Sequence, residues 1–476
     1  MTEQPLSFIQ LDRAIGAVLG SAVGDALGAG FEFATPPRPS EVRMRPGTLT
    51  GKPAGHWTDD TAMAVSVLRV AATLGTLATP EAQTAVAQGF LDWFHSSPQD
   101  VGAHTARVLS KAPSASALAA TSAAVQQAAP HSAGNGSLMR TGPVALSALG
   151  NDALIAATAR AISALTHAHQ DAQDACVLWS IAIDRAIRLG SLEGPRAGLS
   201  QLSLEQATKW TQWIDEAETQ DPQTFSPNGY VVTALQAAWS AIVQTKHEKN
   251  PFEAGLRRAI AIGDDTDTVA AIAGALLGAA HGVTSIPFAW RHDLAGWPDG
   301  IHGIDLMELA VLAARGVDPA GWPGVGSMAN AYRHFAPAGA TYTFDVDPDV
   351  VFGDFGALAT ANADAFLSLC RIGEQDRRAT NHELVWLLDQ PGNADAARVL
   401  VDTADAIAHL RQRGQRVFVH CVQAQSRTPT VAMAWLMRRH GLSLAEAEAA
   451  VMATITSAAP EASLLAAVRS LTETTA

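Results

Sequence analysis

The chain has 476 residues, with 46 acidic against 32 basic side chains and a formal net charge of −14, a balance that excludes a general nucleic-acid binder and a protein held to anionic membranes by charge. At ~100–200 residues per domain, the length calls for two or three domains, each able to bury its own core. The three cysteines, Cys176, Cys370 and Cys421, are odd in number and widely spaced, which excludes a disulfide framework and fits a reduced, cytoplasmic chain.

The opening residues, MTEQPLSFIQLDR, have no basic leader followed by an apolar core and do not read as a secretory signal. From Leu11 to about Arg315 the chain is rich in Ala, Leu and Gly, and its apolar residues recur at helical spacing, as in AIGAVLGSAVGDALG (14–28) and TDDTAMAVSVLRVAATLG (58–75). Small residues at that spacing let helices approach closely. Clusters such as ATPPRPS (34–40) and LEGPRAG (192–198) punctuate the helices. The most apolar run, Val269 to Ala280, has 12 residues against the ~18–20 that a membrane span needs, so no membrane crossing is expected. These features predict an all-α domain over 8–317. Residues 318–340, heavy in Gly and Pro and without a clear period, read as a linker. Beyond it, β-prone pieces (TYTFDV, RVFVHC) alternate with amphipathic stretches (DAARVLVDTADAIAHLRQRG, SLAEAEAAVMATI), which predicts an α/β domain over 341–476.

Two acidic runs stand out in the first region: Trp57-Thr58-Asp59-Asp60-Thr61 and Gly263-Asp264-Asp265-Thr266-Asp267-Thr268. One Asp ahead of a helix is ordinarily a cap, and Asp59 or Asp264 alone reads that way. Two such clusters, packed among small apolar residues, repel each other and lose hydration unless a positive charge sits between them. Oxygen donors without Cys or His point to a hard cation, Mg²⁺, Mn²⁺ or Ca²⁺, rather than zinc. Between the runs, Gly134-Asn135-Gly136-Ser137 allows close backbone approach to a diphosphate, with N–H groups as donors.

The series GSAVGDALGAGFEF (20–33), HWTDDTAM (56–63), GNGSLMRTGP (134–143), LTHAHQDA (165–172) and GDDTDTVAAIAGALLGAAHG (263–282) resembles the ADP-ribosylglycohydrolase family, with IPFAWRHDLAGWPDG (286–300) similar to the usual end of that domain. The resemblance implies an all-α fold and a centre of two Mg²⁺ or Mn²⁺ ions that removes ADP-ribose from a modified protein, nucleic acid or small molecule. It further implies Thr58, Asp59, Asp60, Asp265, Asp267 and Thr268 as metal ligands, with Asp264 outside the set. Glu32 matches a glutamate that assists at the scissile bond, and His167 a histidine that touches substrate; His131 and His169 read as structural. Cleavage at the anomeric carbon builds positive charge that carboxylates stabilise, and Asp59, Asp60 or Glu32 is then positioned to take a proton.

Near the C-terminus, RVFVHCVQAQSRTPTVAMAWLMRRHG (416–441) places Cys421 between a β-prone run and a helical one, with Arg427 and Thr428 after five intervening residues. A thiolate facing a helix N-terminus and a guanidinium is a nucleophile. Arg427 suits a bidentate grip on phosphate, and Ser426 or Thr428 suits assistance to the leaving thiolate. The arrangement resembles the cysteine-dependent tyrosine and dual-specificity phosphatases, which implies a phosphorylated substrate and a general acid at Asp389. Gln423 and Ala424 stand where that family has Ala-Gly, so a domain that only binds anions remains the competing reading for this half. The whole reads as a two-domain hydrolase, one half cleaving ADP-ribose from its acceptor and the other acting on a phosphomonoester; the competing class is a non-catalytic protein that binds ADP-ribose or phosphoproteins.

Overall fold

The structure, a computed structural model, describes residues 5–315, 322–378 and 381–472. The chain divides into two compact units, Met1–Ile286 with Asp293–Val317, and Pro287–His292 with Asp318–Ala476. Among the described residues, no helix is long and apolar enough to cross a membrane.

The first unit is helical. Helix α1 (Phe8–Gly28) starts at Ser7, whose Oγ accepts from Gln10 N while Gln10 Oε1 accepts from Ser7 N, a reciprocal cap that satisfies two free donors. Behind it follow α2 (Asp59–Leu74), α3 (Gln170–Leu189), α4 (Val231–Thr245), α5 (Thr266–His281) and α6 (Gly303–Arg315). The principal contact is α1 against α5. Gly16, Gly20, Gly24 and Gly28 recur every fourth residue and form a bare stripe on α1. A Cβ added at Gly16 would lie 2.2 Å from Gly278 O, one at Gly20 2.3 Å from Gly274 O, and one at Gly24 2.1 Å from Ala270 O. The reciprocal positions are as tight, at 1.9 Å between Gly278 and Gly16 O and 2.0 Å between Gly274 and Gly20 O. The two backbones therefore touch directly, and the pairing is antiparallel, because falling numbers on α5 meet rising ones on α1. That register brings the end of α1 to the start of α5, where the second acidic run lies. Trp179 on α3 backs the pair by donating its indole N–H to Ile272 O at 3.0 Å.

The second unit is a five-stranded sheet with helices. Its strands are β1 (Thr341–Phe344), β2 (Asp347–Asp354), β3 (Ala365–Ser368), β4 (His382–Leu384) and β5 (Val417–Cys421), in the order β1-β2-β5-β3-β4. β1 and β2 are antiparallel, and the other neighbours are parallel. Helices α7 (Ala396–Gln412), α8 (Arg427–His440), α9 (Leu444–Thr454) and α10 (Ala462–Ser470) complete the unit. The central β5 is buried along its whole length and ends at Cys421, immediately before the loop into α8.

The helical and α/β classes expected from sequence are those observed. The expected 318–340 linker differs: residues 318–321 lie outside the described ones, and the remainder is packed within the second unit. Trp322 Nε1 donates to Ile372 O (2.8 Å), while Ser327 Oγ and Met328 N both donate to Asp376. A Gly- and Pro-rich composition shows no period whether a segment is free or pinned by a distant carboxylate, so sequence could not distinguish the two. The expected first domain also yields a short piece, Pro287–His292, to the second unit, whose core takes up Phe288.

The α1–α5 contact makes a direct prediction. Gly278→Val should lower the stability of the first unit by about 1–3 kcal/mol or more, as overpacking against a rigid backbone does. Gly229→Ala, where a new Cβ meets nothing within 4 Å, should stay within about 0.5 kcal/mol of the parent. Denaturant unfolding followed by the helical circular-dichroism signal compares the two, and equal effects would contradict the backbone contact.

Candidate active sites

The first site is assembled where three helix ends meet. Helix α2 lacks a side-chain cap of its own, for Thr58 at its N-cap makes no capping bond. Asp25, projecting from α1, supplies the missing acceptor. One of its oxygens takes Thr58 N (2.9 Å) and Thr58 Oγ1 (2.8 Å), and the other takes Thr61 N (2.9 Å) and Thr61 Oγ1 (2.6 Å). A buried carboxylate on one helix thus fixes the start of another, satisfying donors that would otherwise be orphaned. Burial outweighs those four bonds and pushes the Asp25 carboxyl up to about 6.

Asp25, Asp60 and Asp267 each bring a carboxylate oxygen within 4.8 Å of the others, and so do Glu32, Asp100 and Asp267. Thr58 Oγ1 stands among the first group, 3.1 Å from Asp60 Oδ2 and 3.4 Å from Asp267 Oδ2. Asp60 and Asp267 are almost wholly buried. One oxygen of each, and Oδ2 of Asp100, is buried without a hydrogen-bond partner. Among the described residues, no Lys or Arg forms an ion pair with any member of the cluster. The consequence is electrostatic. Asp59, Asp60 and Asp267 are all pushed well above the usual carboxylate range, first by burial and then by neighbouring carboxylates, chiefly Asp100 for Asp59, Asp25 for Asp60 and Asp60 for Asp267. Glu32 rises to about 8 through burial and then the charges of Asp100 and Asp265. Buried oxygens aimed at one another, with free lone pairs and no counter-charge, fit a hard divalent cation.

The remaining expected residues divide. Asp265 is the N-cap of α5 and is held from two sides, by Asn135 Nδ2 to its Oδ2 (2.7 Å) and by its own N–H to Asn228 Oδ1 (3.0 Å). Asn135 therefore orients an acidic side chain, besides lying in the expected substrate loop. Asp264 has left-handed backbone (φ 59°), and its carboxylate accepts from Ser226 Oγ. Thr268 is buried, with Oγ1 3.9 Å from Met139 Sδ. Gly136 packs on the His167 ring, where an added Cβ would lie 3.0 Å from Cε1. The Ser137 hydroxyl faces the core, accepting from Ser163 Oγ (2.9 Å) and Cys176 Sγ (3.5 Å), which leaves its backbone as the part able to meet a ligand. His167 is buried and held neutral, its pKa well below the ordinary imidazole value through burial and the Arg140 charge. His169 is the N-cap of α3, accepting from Asp171 N at 3.1 Å.

Sequence reasoning missed two members, Asp25 and Asp100. Asp25 carried a signal, as the lone charge in an otherwise small and apolar stripe. Asp100 lies in a short loop with no motif around it. Beside Asp59 and Asp100 is a cavity of about 510 Å³ whose wall includes Trp57, Trp93, Trp297 and His302.

The second site lies at the end of β5. Cys421 closes the strand, nearly fully buried, and Arg427 opens α8. Arg427 Nη1 donates to Leu369 O (2.6 Å) and Leu387 O (3.4 Å), while its Nε is buried without a hydrogen-bond partner, 3.6 Å from Asp389 Oδ2. Asp389 is exposed on the loop before Pro391. The loop between Cys421 and Arg427 has Ala424 in left-handed backbone (φ 53°), the conformation for which glycine is the ordinary choice. Three bonds hold that shape from the segment ahead of α10: Ser457 Oγ to Ala424 O, Ala459 N to Gln425 O and Glu461 N to Ser426 Oγ. The hydroxyls expected to assist the thiolate are engaged. Ser426 Oγ accepts from Glu461 N, and Thr428 Oγ1 donates to Gly353 O on β2 (3.3 Å), so Thr428 ties the helix to the sheet.

A helical unit with a cluster of buried carboxylates and, in the same chain, a sheet unit with a cysteine and an arginine flanking a tight loop define a hydrolase class. The family model of ADP-ribosylglycohydrolase matches residues 7–320, and that of the dual specificity phosphatase catalytic domain matches residues 370–472. The chain belongs to the ADP-ribosylglycohydrolase family. It is 30% identical over 294 residues to the ADP-ribosyl-(dinitrogen reductase) glycohydrolase of Rhodospirillum rubrum, covering 60% of this chain and 90% of that protein. It is 29% identical over 299 residues to the ADP-ribosylarginine hydrolase Tri1 of Pseudomonas putida (strain GB-1), covering 60% of this chain and 75% of that one. Human DUSP28 aligns with 27% of this chain and 90% of its own, at 25% identity and a TM-score of 0.24.

The acidic cluster sets a pH dependence. Its folded-state pKa values are raised, so the stability it contributes is complete below the ordinary carboxylate range near 4 and is lost as pH climbs through about 6 for Asp25 and about 8 for Glu32. The chelator-treated protein should therefore melt at progressively lower temperature from pH 5 to pH 9, and added Mg²⁺ or Mn²⁺ should flatten the trend. A melting temperature independent of pH without metal would contradict the cluster.

Proposed function

We propose that the first unit is a metal-dependent hydrolase that cleaves the glycosidic bond between ADP-ribose and a modified acceptor, and that the second unit hydrolyses a phosphomonoester with Cys421 as nucleophile. The observation that carries the first reading is the convergence of Asp60 and Asp267, buried and with unpartnered oxygens, around the Thr58 hydroxyl.

In this reading Thr58, Asp59, Asp60, Asp265, Asp267 and Thr268 hold two divalent cations, Mg²⁺ or Mn²⁺, with Asp25 fixing the first trio and Asn135 the Asp265 carboxylate. Bound there, the ions supply charge neutralisation and Lewis-acid polarisation. The chain's own groups do the rest. Backbone N–H groups of Gly136 and Ser137 receive the diphosphate, the Asn135 N–H being taken by Gly229 O at 3.2 Å. Carboxylates on two helix ends face the anomeric carbon, where positive charge develops as the bond breaks. Glu32, Asp59 or Asp60, in its ionised form, takes the proton of the attacking water; Glu32 is the one outside the two acidic runs. The acceptor side is the cavity beside Asp59 and Asp100. Indole rings and carboxylates in that wall suit a flat cation, so we take the acceptor to be an arginine guanidinium, the linkage named for the Pseudomonas relative. The three buried, unpaired cysteines are consistent with a cytoplasmic protein.

In the second unit Arg427, oriented by two carbonyls, offers its remaining N–H groups to phosphate oxygens, and Cys421 attacks from the floor of the loop. Asp389, 3.6 Å from Arg427 Nε, is released once phosphate takes its place and, in its acid form, protonates the leaving oxygen.

Two assays separate the halves. Asp267→Asn should reduce release of ADP-ribose from ADP-ribosylated arginine by about 100-fold or more and leave aryl-phosphate hydrolysis unchanged; normal release would remove the ligand assignment. Cys421→Ser should abolish aryl-phosphate hydrolysis and leave ADP-ribose release intact. Hydrolysis that survives the substitution would mean a different nucleophile.

A further inference from the structure

The reading above leaves unused a buried charge close to the ligand loop. Arg140, in the GNGSLMRTGP segment, is fully buried, and its guanidinium lies over the Phe90 ring at 4.3 Å. Nη1 meets Met63 Sδ at 3.4 Å, Nη2 donates to Ile162 O at 3.4 Å and Thr166 Oγ1 at 2.7 Å, and Nε has no partner. Among the described residues, no carboxylate pairs with it. A buried guanidinium held by neutral acceptors is expensive to keep, and apolar residues of similar volume would fill the space without that penalty. Its contacts lead to a ring beside the ligand loop.

Thr166 Oγ1 accepts from Arg140, and an arginine has no lone pair to offer in return. The same oxygen lies 2.8 Å from His167 Nδ1. Thr166 is wholly buried, so its hydroxyl proton needs an acceptor, and Nδ1 is the one within reach. Were Nδ1 to carry the hydrogen instead, that buried hydroxyl would be left unsatisfied. The imidazole is neutral, since burial and the Arg140 charge oppose a second proton. The hydrogen of the ring therefore resides on Nε2. A neighbouring ring holds the plane: His104 Nε2 donates to Thr166 O (3.0 Å), which leaves its Nδ1 to accept from Ser132 Oγ (2.9 Å), and the His104 and His167 rings pack with centroids 4.7 Å apart. His167 Nε2 faces the glycine loop, where Cβ atoms at Gly134 and Gly136 would lie 3.6 and 3.3 Å from it. Between those glycines Asn135 reaches Asp265, so the donor points to the margin of the carboxylate cluster.

We propose that Arg140 is a positioning residue which, through Thr166, locks His167 as the Nε2-protonated tautomer and so presents one hydrogen-bond donor to an oxygen of the ADP-ribose diphosphate or ribose at the Gly134–Gly136 loop. The inference rests on the ADP-ribose reading of the site. It assigns to a buried threonine and arginine, neither in contact with ligand, the choice of which ring nitrogen donates.

The test is a long-range ¹H–¹⁵N correlation spectrum of the full chain with ring-¹⁵N histidine, with His167 assigned by the signals lost in His167→Gln. The expected pattern has a protonated Nε2 and an unprotonated Nδ1 at neutral pH. Thr166→Val, nearly isosteric, should give mixed tautomers and weaken ADP-ribose binding by roughly three- to tenfold, and Thr166→Ser should restore both. A parent spectrum with the hydrogen on Nδ1 overturns the proposal and needs no variant. So does a folded Thr166→Val protein with unchanged tautomer and ADP-ribose affinity. If the parent protein fails to bind ADP-ribose while the tautomer is as expected, the ligand reading fails and the relay loses its stated purpose, an outcome distinct from the others.

Discussion

Direct contact between the backbones of α1 and α5 is the constraint on which the first site depends. Four glycines at every fourth position of α1, met by Ala270, Gly274 and Gly278 on α5, remove the side chains that would hold the helices apart. The close approach gains dispersion contacts along the length of both helices, and the antiparallel arrangement sets the negative end of one dipole beside the positive end of the other. It also fixes geometry. Asp25 and Glu32 at the end of α1 are delivered to Asp265 and Asp267 at the start of α5, and Asp25 in turn secures the start of α2 with Asp59 and Asp60. A slip by one helical turn would dissolve the cluster.

That assembly is electrostatically incomplete by itself. Carboxylate oxygens of Asp25, Glu32, Asp60, Asp100 and Asp267 gather in two trios that share Asp267, and among the described residues no Lys or Arg pairs with any of them. The contrast with Asp184 is instructive: equally buried, it is gripped by both Arg185 and Arg188. Natural proteins leave buried acids unpaired where a cation or a reaction needs them. The second unit shows the same principle in another form. Ala424 holds a backbone conformation unfavourable to a residue with a Cβ, and three hydrogen bonds from the segment ahead of α10 maintain it, so that Cys421 and Arg427 flank a fixed loop.

Much of this was legible in the residues. Two acidic runs beside helical segments, and a cysteine and an arginine with five residues between them at a strand-to-helix junction, are local patterns whose chemistry does not depend on distant packing. The small-residue periodicity announced close helix contacts, though not which helices would meet. What escaped were roles set by tertiary neighbours. Asp25 reads as an interruption in an apolar helix until α2 is placed against it. Ser137 sits in a ligand-like motif, yet its hydroxyl faces Ser163 and Cys176. Thr428 adjoins the expected phosphate loop but bonds to β2. The segment around Trp322 looks like a tether because its order comes from Asp376, some fifty residues on. In each instance the deciding partner is remote in sequence, and no local propensity carries that information.

The central claim is that the helix ends converge to hold divalent ions. Anomalous diffraction from crystals of the full chain grown with Mn²⁺ measures it most directly. The account predicts manganese peaks within coordination distance of Asp60 and Asp267, with Thr58 contributing its hydroxyl. Peaks confined to surface sites, with those three side chains left uncoordinated at saturating Mn²⁺, would contradict it.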